Sequence, residues 1–176
     1  MSSQSSKPLV RERFAATPHA AEQRLLTVLL AQDGSTTRLC EAIAQGPIKL
    51  HVYRQHVTHE VPALVREYLP GKQFIERITS LVAHDRVLMD NLSYIALEGL
   101  EPDIEADLRA GTMPIGHMLS RWWVRRERIA DFIDLAQRLW EAVGLPDLAA
   151  TRAYRIVTPE APRMVIVETY RRGMVA

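Results

Sequence analysis

A single carboxylate interrupts an apolar strand pattern near the C-terminal end of this sequence. Alternation of period two over residues 164–170 puts Glu168 on the same strand face as Ile166 and Tyr170. A carboxylate removed from water is destabilising by several kcal/mol unless a cation or hydrogen-bond donors accompany it. Glu168 therefore predicts a cationic partner, a solvent-exposed sheet edge or a functional site.

Arg77 is the second candidate for chemistry, and it also lies in a strand pattern, on one face with Ile75 and Leu81. A planar guanidinium can hold a carboxylate through two parallel hydrogen bonds, which suits a small anionic ligand in a dry pocket. The structural alternatives are an ion pair between Arg77 and Glu168, or an exposed edge for both. Arg155 is a further candidate partner for Glu168, because it lies in the other arm of the same predicted hairpin.

Other polar side chains are weaker candidates for a catalytic, metal-binding or ligand-binding role. His56 and His59, in the string HVTHE, lack the spacing of a zinc motif and would lie on opposite strand faces, so no metal site is expected. Cys40 lies in a helical pattern without an activating cation cluster, which predicts an inert buried thiol. Arg38 is expected at the surface, with a second carboxylate ligand as the alternative. A basic run comprises Arg121, Arg125, Arg126 and Arg128 with Trp122 and Trp123, and it predicts a solvated face.

The composition is typical of one ordinary domain that needs no cofactor to fold. The chain has 176 residues, 47% of them hydrophobic, and a net charge of +1, which argues against nucleic acid or an acidic membrane surface as a partner. One cysteine excludes an intrachain disulfide and suits a reducing, cytoplasmic setting. No segment approaches the roughly 18 apolar residues of a membrane span, and the N-terminus lacks a signal-peptide core. No feature specifies an oligomeric state.

The pattern of elements predicts an α+β fold. Residues 1–17 are polar and Ser-rich and are expected to form a disordered leader before a single domain over residues 18–176. Blocks of helices and strands joined by hairpins favour one antiparallel sheet, with helices mainly on one face, over βαβ winding. The predicted helices cover 19–32, 35–45, 102–110, a short turn after 114, and 129–143; the predicted strands cover 48–57, 74–82, 87–96 and the two arms of 151–170, with 120–126 a weaker strand and 61–69 ambiguous.

Three segments carry a resemblance through their order and spacing. The first, LLAQDGSTTRLCEAI, combines a leucine-rich helix, a turn and an arginine in the next helix. The second is FIERITSL, followed at a distance by the turn MPIGHML, and the third is RAYRIVTPEAPRMVIVETY, a basic strand, a turn and an apolar strand that ends in T-E-Y. Together, from about Leu25 to Tyr170, they resemble the chorismate pyruvate-lyase family, including its 4-hydroxybenzoate-synthase branch. The chain departs from that family at Ser35, at Ile115 and at Val167.

The resemblance implies a six-stranded antiparallel sheet with a small buried site under helical flaps. It implies that Arg77 holds a substrate carboxylate and that Glu168 meets the hydroxyl side of the ring, these two being the catalytic candidates. It also implies substrate contacts near Ser35 and at Ile115 and Gly116. The implied reaction is cofactor-independent: chorismate loses pyruvate and leaves a hydroxybenzoate, the 4-isomer in the named branch. Glu168 could orient the ring hydroxyl or act as a base.

Two other classes of function stay open at this point. A divergent enzyme of the same fold could act on another small molecule, because Ser35 and the long helix over 129–143 alter the presumed flap. Certain transcription regulators carry a ligand-sensing module of this fold behind a winged-helix domain. Here about 18 residues precede the first predicted helix, which is shorter than such a DNA reader, so the enzyme is favoured.

Overall fold

The computed structural model describes residues 17–174. The predicted disordered leader lies outside these residues except for Thr17, whose hydroxyl accepts a hydrogen bond from the Ala20 N–H at 3.2 Å and caps the first helix. The helices are α1 (Pro18–Ala31), α2 (Thr36–Ala44), α3 (Ala63–Tyr68), α4 (Pro102–Ala110), α5 (Ile115–Leu119) and α6 (Ile133–Val143); the strands are β1 (Lys49–Thr58), β2 (Phe74–Ala83), β3 (Arg86–Ala96), β4 (Arg125–Arg128), β5 (Thr151–Val157) and β6 (Pro162–Tyr170).

The strands form one antiparallel sheet in the order β1-β2-β3-β6-β5-β4, which confirms the predicted α+β fold. The β2–β3 hairpin turns through two residues only, His84 and Asp85, both with left-handed backbone (φ 49° and 59°). Two successive left-handed residues suit a tight hairpin because their twist matches that of the strands. The predicted hairpin of β5 and β6 is also present. Both of its strands lie in the interior of the sheet, β6 beside β3 and β5 beside β4.

Strand alternation divides the apolar side chains between the two faces of the sheet. On one face α3 and α6 pack against β2, β3 and β6, where Leu135 and Leu139 meet Ile78 and Leu92. On the other face α1, α2, α4 and α5 cover residues such as Met89. The helices therefore lie mainly on one face, as expected, and that face also carries Arg77 and Glu168. Among residues 17–174, no helix combines the length and apolar character needed to cross a membrane.

Some element boundaries differ from the sequence prediction. The strand expected over residues 120–126 is wrong: β4 begins at Arg125, after a turn that follows α5. The helix expected from Ile129 begins at Ile133, because Ile129 is buried and its N–H donates to the Ala153 carbonyl at 3.0 Å, extending the pairing with β5. The ambiguous segment 61–69 contains α3, which starts directly after Pro62.

Candidate functional site

Glu168 lies at the centre of the sheet with 2% of its surface exposed, and its carboxylate accepts four hydrogen bonds. Oε2 accepts from Arg152 Nε at 2.9 Å, from Thr36 Oγ1 at 3.0 Å and from the Tyr170 hydroxyl at 3.1 Å. Oε1 accepts from the Tyr154 hydroxyl at 2.7 Å. Because each oxygen of an ionised carboxylate offers about two acceptor positions, Oε2 is fully used by its three donors, whereas Oε1 can accept a further hydrogen bond.

Arg152 is the cationic partner of Glu168 and stands directly opposite it in the β5–β6 register. Its Nη1 donates to the Gln32 carbonyl at 2.6 Å and its Nη2 to Thr36 Oγ1 at 2.9 Å. The guanidinium carbon also lies 5.0 Å from the centre of the Tyr154 ring. Burial, the largest single effect, would lower the pKa of Arg152, but the charge of Glu168, the two tyrosines and the hydrogen bond to Glu168 together outweigh it and raise the pKa.

The alternative that Arg155 pairs with Glu168 is wrong. Arg155 is three residues from Arg152 along β5, so it points to the opposite face of the sheet. There its guanidinium donates to Glu127 at 2.6 Å. The hairpin therefore carries two ion pairs, one buried on the site face and one half-exposed on the other.

Two tyrosine hydroxyls complete the cluster around Glu168. Burial, and then the negative charge of Glu168, raises the pKa of Tyr154 and of Tyr170 above the ordinary range. Both therefore stay protonated at neutral pH. Tyr154 donates to the carboxylate alone, whereas the one hydroxyl proton of Tyr170 lies within reach of both Glu168 Oε2 at 3.1 Å and the Leu29 carbonyl at 3.3 Å.

Arg77 is the opposite case, a buried guanidinium with no carboxylate partner among the described residues. Only 1% of it is exposed, and its Nη2 donates to the carbonyls of Gly111 and Met113 at 3.1 and 3.2 Å. Its Nε has no partner within residues 17–174. Burial lowers the pKa of Arg77 to about 10, so at neutral pH it keeps its charge. An ion pair between Arg77 and Glu168, or an exposed edge for both, is thus wrong.

A cavity separates Arg77 from Glu168. The space not filled by protein atoms, counted out to the open mouth, is about 430 Å³. The centre of a water-sized sphere can reach only about 30 Å³ of it. The cavity is therefore narrow in this conformation. Besides those two residues, its polar lining consists of Thr36, Thr37, Thr79, Asn91, Arg126 and Tyr154.

The roof of the cavity is formed by α5, which sits tightly on α2. Ile115 and Gly116 line the cavity, and a Cβ added at Gly116 would lie 2.8 Å from the Thr37 Cβ and closer still to its Oγ1. Ser35 is not part of the lining: its hydroxyl caps α2 by accepting from the Arg38 N–H at 3.4 Å. Ser35 nevertheless lies beside Gly116, since its hydroxyl would be 3.0 Å from the same added Cβ.

The structure also shows where the other residues considered in the sequence lie. Arg38 is exposed, as expected, and His56 and His59 are exposed as well. Cys40 is buried, as predicted, and burial, with the nearby charge of Glu168, raises the pKa of its thiol to about 12. No group of three metal-ligating side chains lies together in the described part of the chain. Arg121, Arg125 and Arg128 are exposed, as predicted for the basic run, whereas Arg126 is half-buried and lines the cavity.

The structure places Arg77, Ile115, Gly116 and Glu168 around one cavity, whereas the groups that surround Glu168 were missed in the sequence. Period-two alternation in TRAYRIV places Arg152 and Tyr154 on one strand face, which was a readable signal. Thr36 had none, because it reaches Glu168 across 132 positions of the chain.

Comparison with known proteins identifies the family. A family model described as Chorismate pyruvate-lyase Rv2949c-like matches residues 30–175. The chain therefore belongs to this chorismate pyruvate-lyase family, and the resemblance found in its sequence is confirmed at that level. No curated protein sequence matches the chain.

Solved structures are similar only at low identity. The gene product SA0254 from Staphylococcus aureus is 12% identical, over 73% of this chain and 86% of that chain, with a TM-score of 0.45. The C-terminal domain of the histidine utilization repressor from Pseudomonas syringae is 8% identical, over 73% and 94%, with a TM-score of 0.46. A GntR-family transcriptional regulator from Bacillus cereus is 9% identical, over 70% and 90%, with a TM-score of 0.43.

Proposed function

We propose that this protein is a lyase that converts chorismate to 4-hydroxybenzoate and pyruvate. The observation that carries the proposal is the guanidinium of Arg77, buried beside a cavity without a carboxylate partner in the described chain. Burying an uncompensated charge is unfavourable, and such a charge at a cavity is typical of a ligand-binding site. Membership of the chorismate pyruvate-lyase family supports a carboxylate of this kind as the ligand.

The reaction has a simple balance. The ring carbon that bears the hydroxyl loses its hydrogen as a proton, and the electrons of that bond complete the aromatic ring. The bond between the neighbouring ring carbon and the enolpyruvyl oxygen breaks, and enolpyruvate takes up a proton to become pyruvate. Because no electrons are exchanged with another molecule, orientation and proton transfer are the tasks that remain for the protein.

Arg77 would hold the ring carboxylate. Its unpartnered Nε can donate to the carboxylate, while the carbonyls of Gly111 and Met113 engage Nη2 and keep the guanidinium in place. This fixes the ring relative to the sheet. The hydroxyl end of the ring would then point toward Glu168 and Tyr154, across the cavity.

Glu168 orients donors in this proposal instead of acting as a base. Arg152 holds it as an ion pair, and its Oε2 already accepts three hydrogen bonds, although Oε1 accepts only the one from Tyr154. Asn91, which stands opposite Glu168 on β3, has a buried side-chain oxygen without a partner in residues 17–174. That oxygen can accept the hydrogen bond of a ring hydroxyl.

Ligand entry requires the roof to move. The cavity has room for little more than water, while α5 rests on α2 through Gly116 and through a 3.0 Å contact between His117 Nε2 and Glu41 Oε1. A separation of α5 from α2 would open the cavity above Arg77. The site then closes over the ligand and excludes water.

The test is pyruvate release. The full chain is incubated with chorismate, pyruvate is followed by coupling to lactate dehydrogenase, and the aromatic product is identified by chromatography. We expect equal amounts of pyruvate and 4-hydroxybenzoate from the wild type, and none from an Arg77→Met variant that stays folded. A folded wild type that binds carboxylates but releases no pyruvate would contradict the proposal and favour ligand sensing or another substrate.

A further inference from the structure

Arg126 is a second guanidinium that lines the central cavity without a carboxylate partner. It lies on β4 opposite Ile156 of β5, which puts it on the same sheet face as Tyr154 and Glu168. Its Nη1 donates to the Asp33 carbonyl at 3.1 Å, but its Nε is buried and has no partner among the described residues. No carboxylate within residues 17–174 forms an ion pair with it. Arg126 is half-buried, whereas Arg77 is fully buried, but both line the cavity and both have a buried Nε without a partner.

The neighbours of Arg126 on β4 have different surroundings. Arg125 and Glu127 point to the opposite face, where they pair with each other and Glu127 also holds Arg155. Arg128 points to the site face, but it is exposed, donates to the Leu30 carbonyl and lines an outer recess instead of the central cavity. Strand alternation thus puts Arg126 and Arg128 on the site face, and both line the outer recess, but of the two only Arg126 also lines the central cavity.

Arg77 and Arg126 approach the cavity from two well-separated strands. Between β2 and β4 the sheet contains β3, β6 and β5, a distance of about 19 Å at ordinary strand spacing, and long side chains bring both groups to one cavity. Tyr154 of β5 lies in the lining with them. Two cations without carboxylates at one cavity match a ligand with two separated negative groups.

We infer that the site takes a dicarboxylate, with Arg77 on one carboxylate and Arg126 on the other. This inference rests on the proposed function and assigns a role within it, since chorismate carries a ring carboxylate and an enolpyruvyl carboxylate. Arg126 then holds the carboxylate of the departing enolpyruvate. Its positive charge lies near the oxygen that gains electron density as the bond to the ring breaks, which favours departure of that group.

The experiment compares two inert ligands that differ by one carboxylate. 3-(Carboxymethoxy)benzoate carries an ether-linked carboxylate beside its ring carboxylate, and 3-methoxybenzoate lacks it. Their dissociation constants are measured by calorimetry for the wild type, Arg126→Gln, Arg77→Gln and Arg128→Gln. Glutamine removes the charge at position 126 and keeps an amide N–H donor, and thermal unfolding checks that each variant is folded. Arg128→Gln is the matched control, two residues along the same strand and on the same face.

Arg126→Gln should weaken the dicarboxylate at least about tenfold and leave the monocarboxylate within about twofold. Arg77→Gln should weaken both ligands, and Arg128→Gln neither. Equal effects of Arg126→Gln on the two ligands, or no effect on either, would overturn the inference, as would a wild type that does not prefer the dicarboxylate. Since neither ligand reacts, this result is separate from pyruvate release: a dicarboxylate site without lyase activity would sink the proposed function alone.

Discussion

Two arginines lie buried on the same face of the sheet, and they differ in what surrounds their charges. Arg152 has Glu168 opposite it at 2.9 Å, a threonine hydroxyl, a helix-end carbonyl and a tyrosine ring. Arg77 has two carbonyl groups and an unpartnered Nε. The pKa values follow this difference, since that of Arg152 is raised and that of Arg77 falls to about 10.

The charge of Arg152 therefore stabilises the fold, whereas the charge of Arg77 is available to a ligand. The ion pair with Glu168 offsets the unfavourable burial of Arg152, and the hydrogen bonds of the two residues join α2, β5 and β6. Arg77 lacks such a partner in the described residues, so we expect an apolar residue at this position to leave the protein as stable or more stable. Functional sites commonly keep such unfavourable charges, because a ligand can supply the missing counter-charge.

The largest expected effect is on stability, from Arg152→Met. The variant leaves the buried carboxylate of Glu168 without its cation, so the free energy of unfolding should fall by about 3–5 kcal/mol in urea titrations. Arg155→Met is the matched control on the same strand; it breaks a half-exposed ion pair and should lose about 1 kcal/mol or less. Equal losses in the two variants would contradict the distinction between the two ion pairs.

A double-mutant cycle with Glu168→Gln tests whether Arg152 and Glu168 are energetically coupled. Once Arg152 is methionine, neutralising position 168 should restore part of the lost stability, because the uncompensated charge is gone. Additive losses in the double variant would show that Arg152 and Glu168 are not energetically coupled.

A smaller effect is expected from Gly116→Ala, which tests the roof over Arg77. The added Cβ would come 2.8 Å from the Thr37 Cβ, so α5 must shift away from α2. We expect a loss of about 1–3 kcal/mol in unfolding free energy and weaker binding of 3-methoxybenzoate. Gly34→Ala is the control, since its nearest contact is 3.5 Å from the Gln32 side chain. Full stability and unchanged binding in Gly116→Ala would mean that the roof is not tightly packed.

The smallest effect is the pH dependence of ligand binding. With a pKa of about 10, Arg77 keeps its charge at neutral pH and loses it as the pH rises through 10. Affinity for 3-methoxybenzoate, measured by calorimetry, should therefore be constant from about pH 7 to 9 and weaken above about pH 10. The stability contribution has the opposite sign: the penalty of burying the charge is full below about pH 10 and relieved above it. A decline in affinity that begins below pH 9 would assign binding to another group.

Much of the fold is predictable from the sequence because local patterns dictate it. The hairpin at His84 and Asp85, the helix Pro102–Ala110 and the apolar faces of β2 and β6 all follow from alternation, caps and turns. Arg77 and Glu168 were recognisable because each is a charge in an apolar pattern. These are properties of short stretches of chain.

The partners of those charges were not predictable in the same way. Which arginine faces Glu168 depends on the hairpin register, and β5 has an irregularity between Ile156 and Val157 that local patterns do not reveal. Arg126 lies in a run of basic residues, and only the pairing of β4 with β5 decides that it faces the cavity. Pairings between distant segments fix the site, whereas the sequence pattern fixes the elements.

The central claim is that Arg77 is retained for a ligand carboxylate at the expense of stability, and one paired measurement on Arg77→Met tests it. Urea unfolding should give a free energy equal to the wild type or higher by up to about 2 kcal/mol. Calorimetry on the same sample should show that 3-methoxybenzoate and 3-(carboxymethoxy)benzoate each bind at least about a hundredfold more weakly. A variant that loses as much stability as Arg152→Met while binding both ligands like the wild type would contradict the claim.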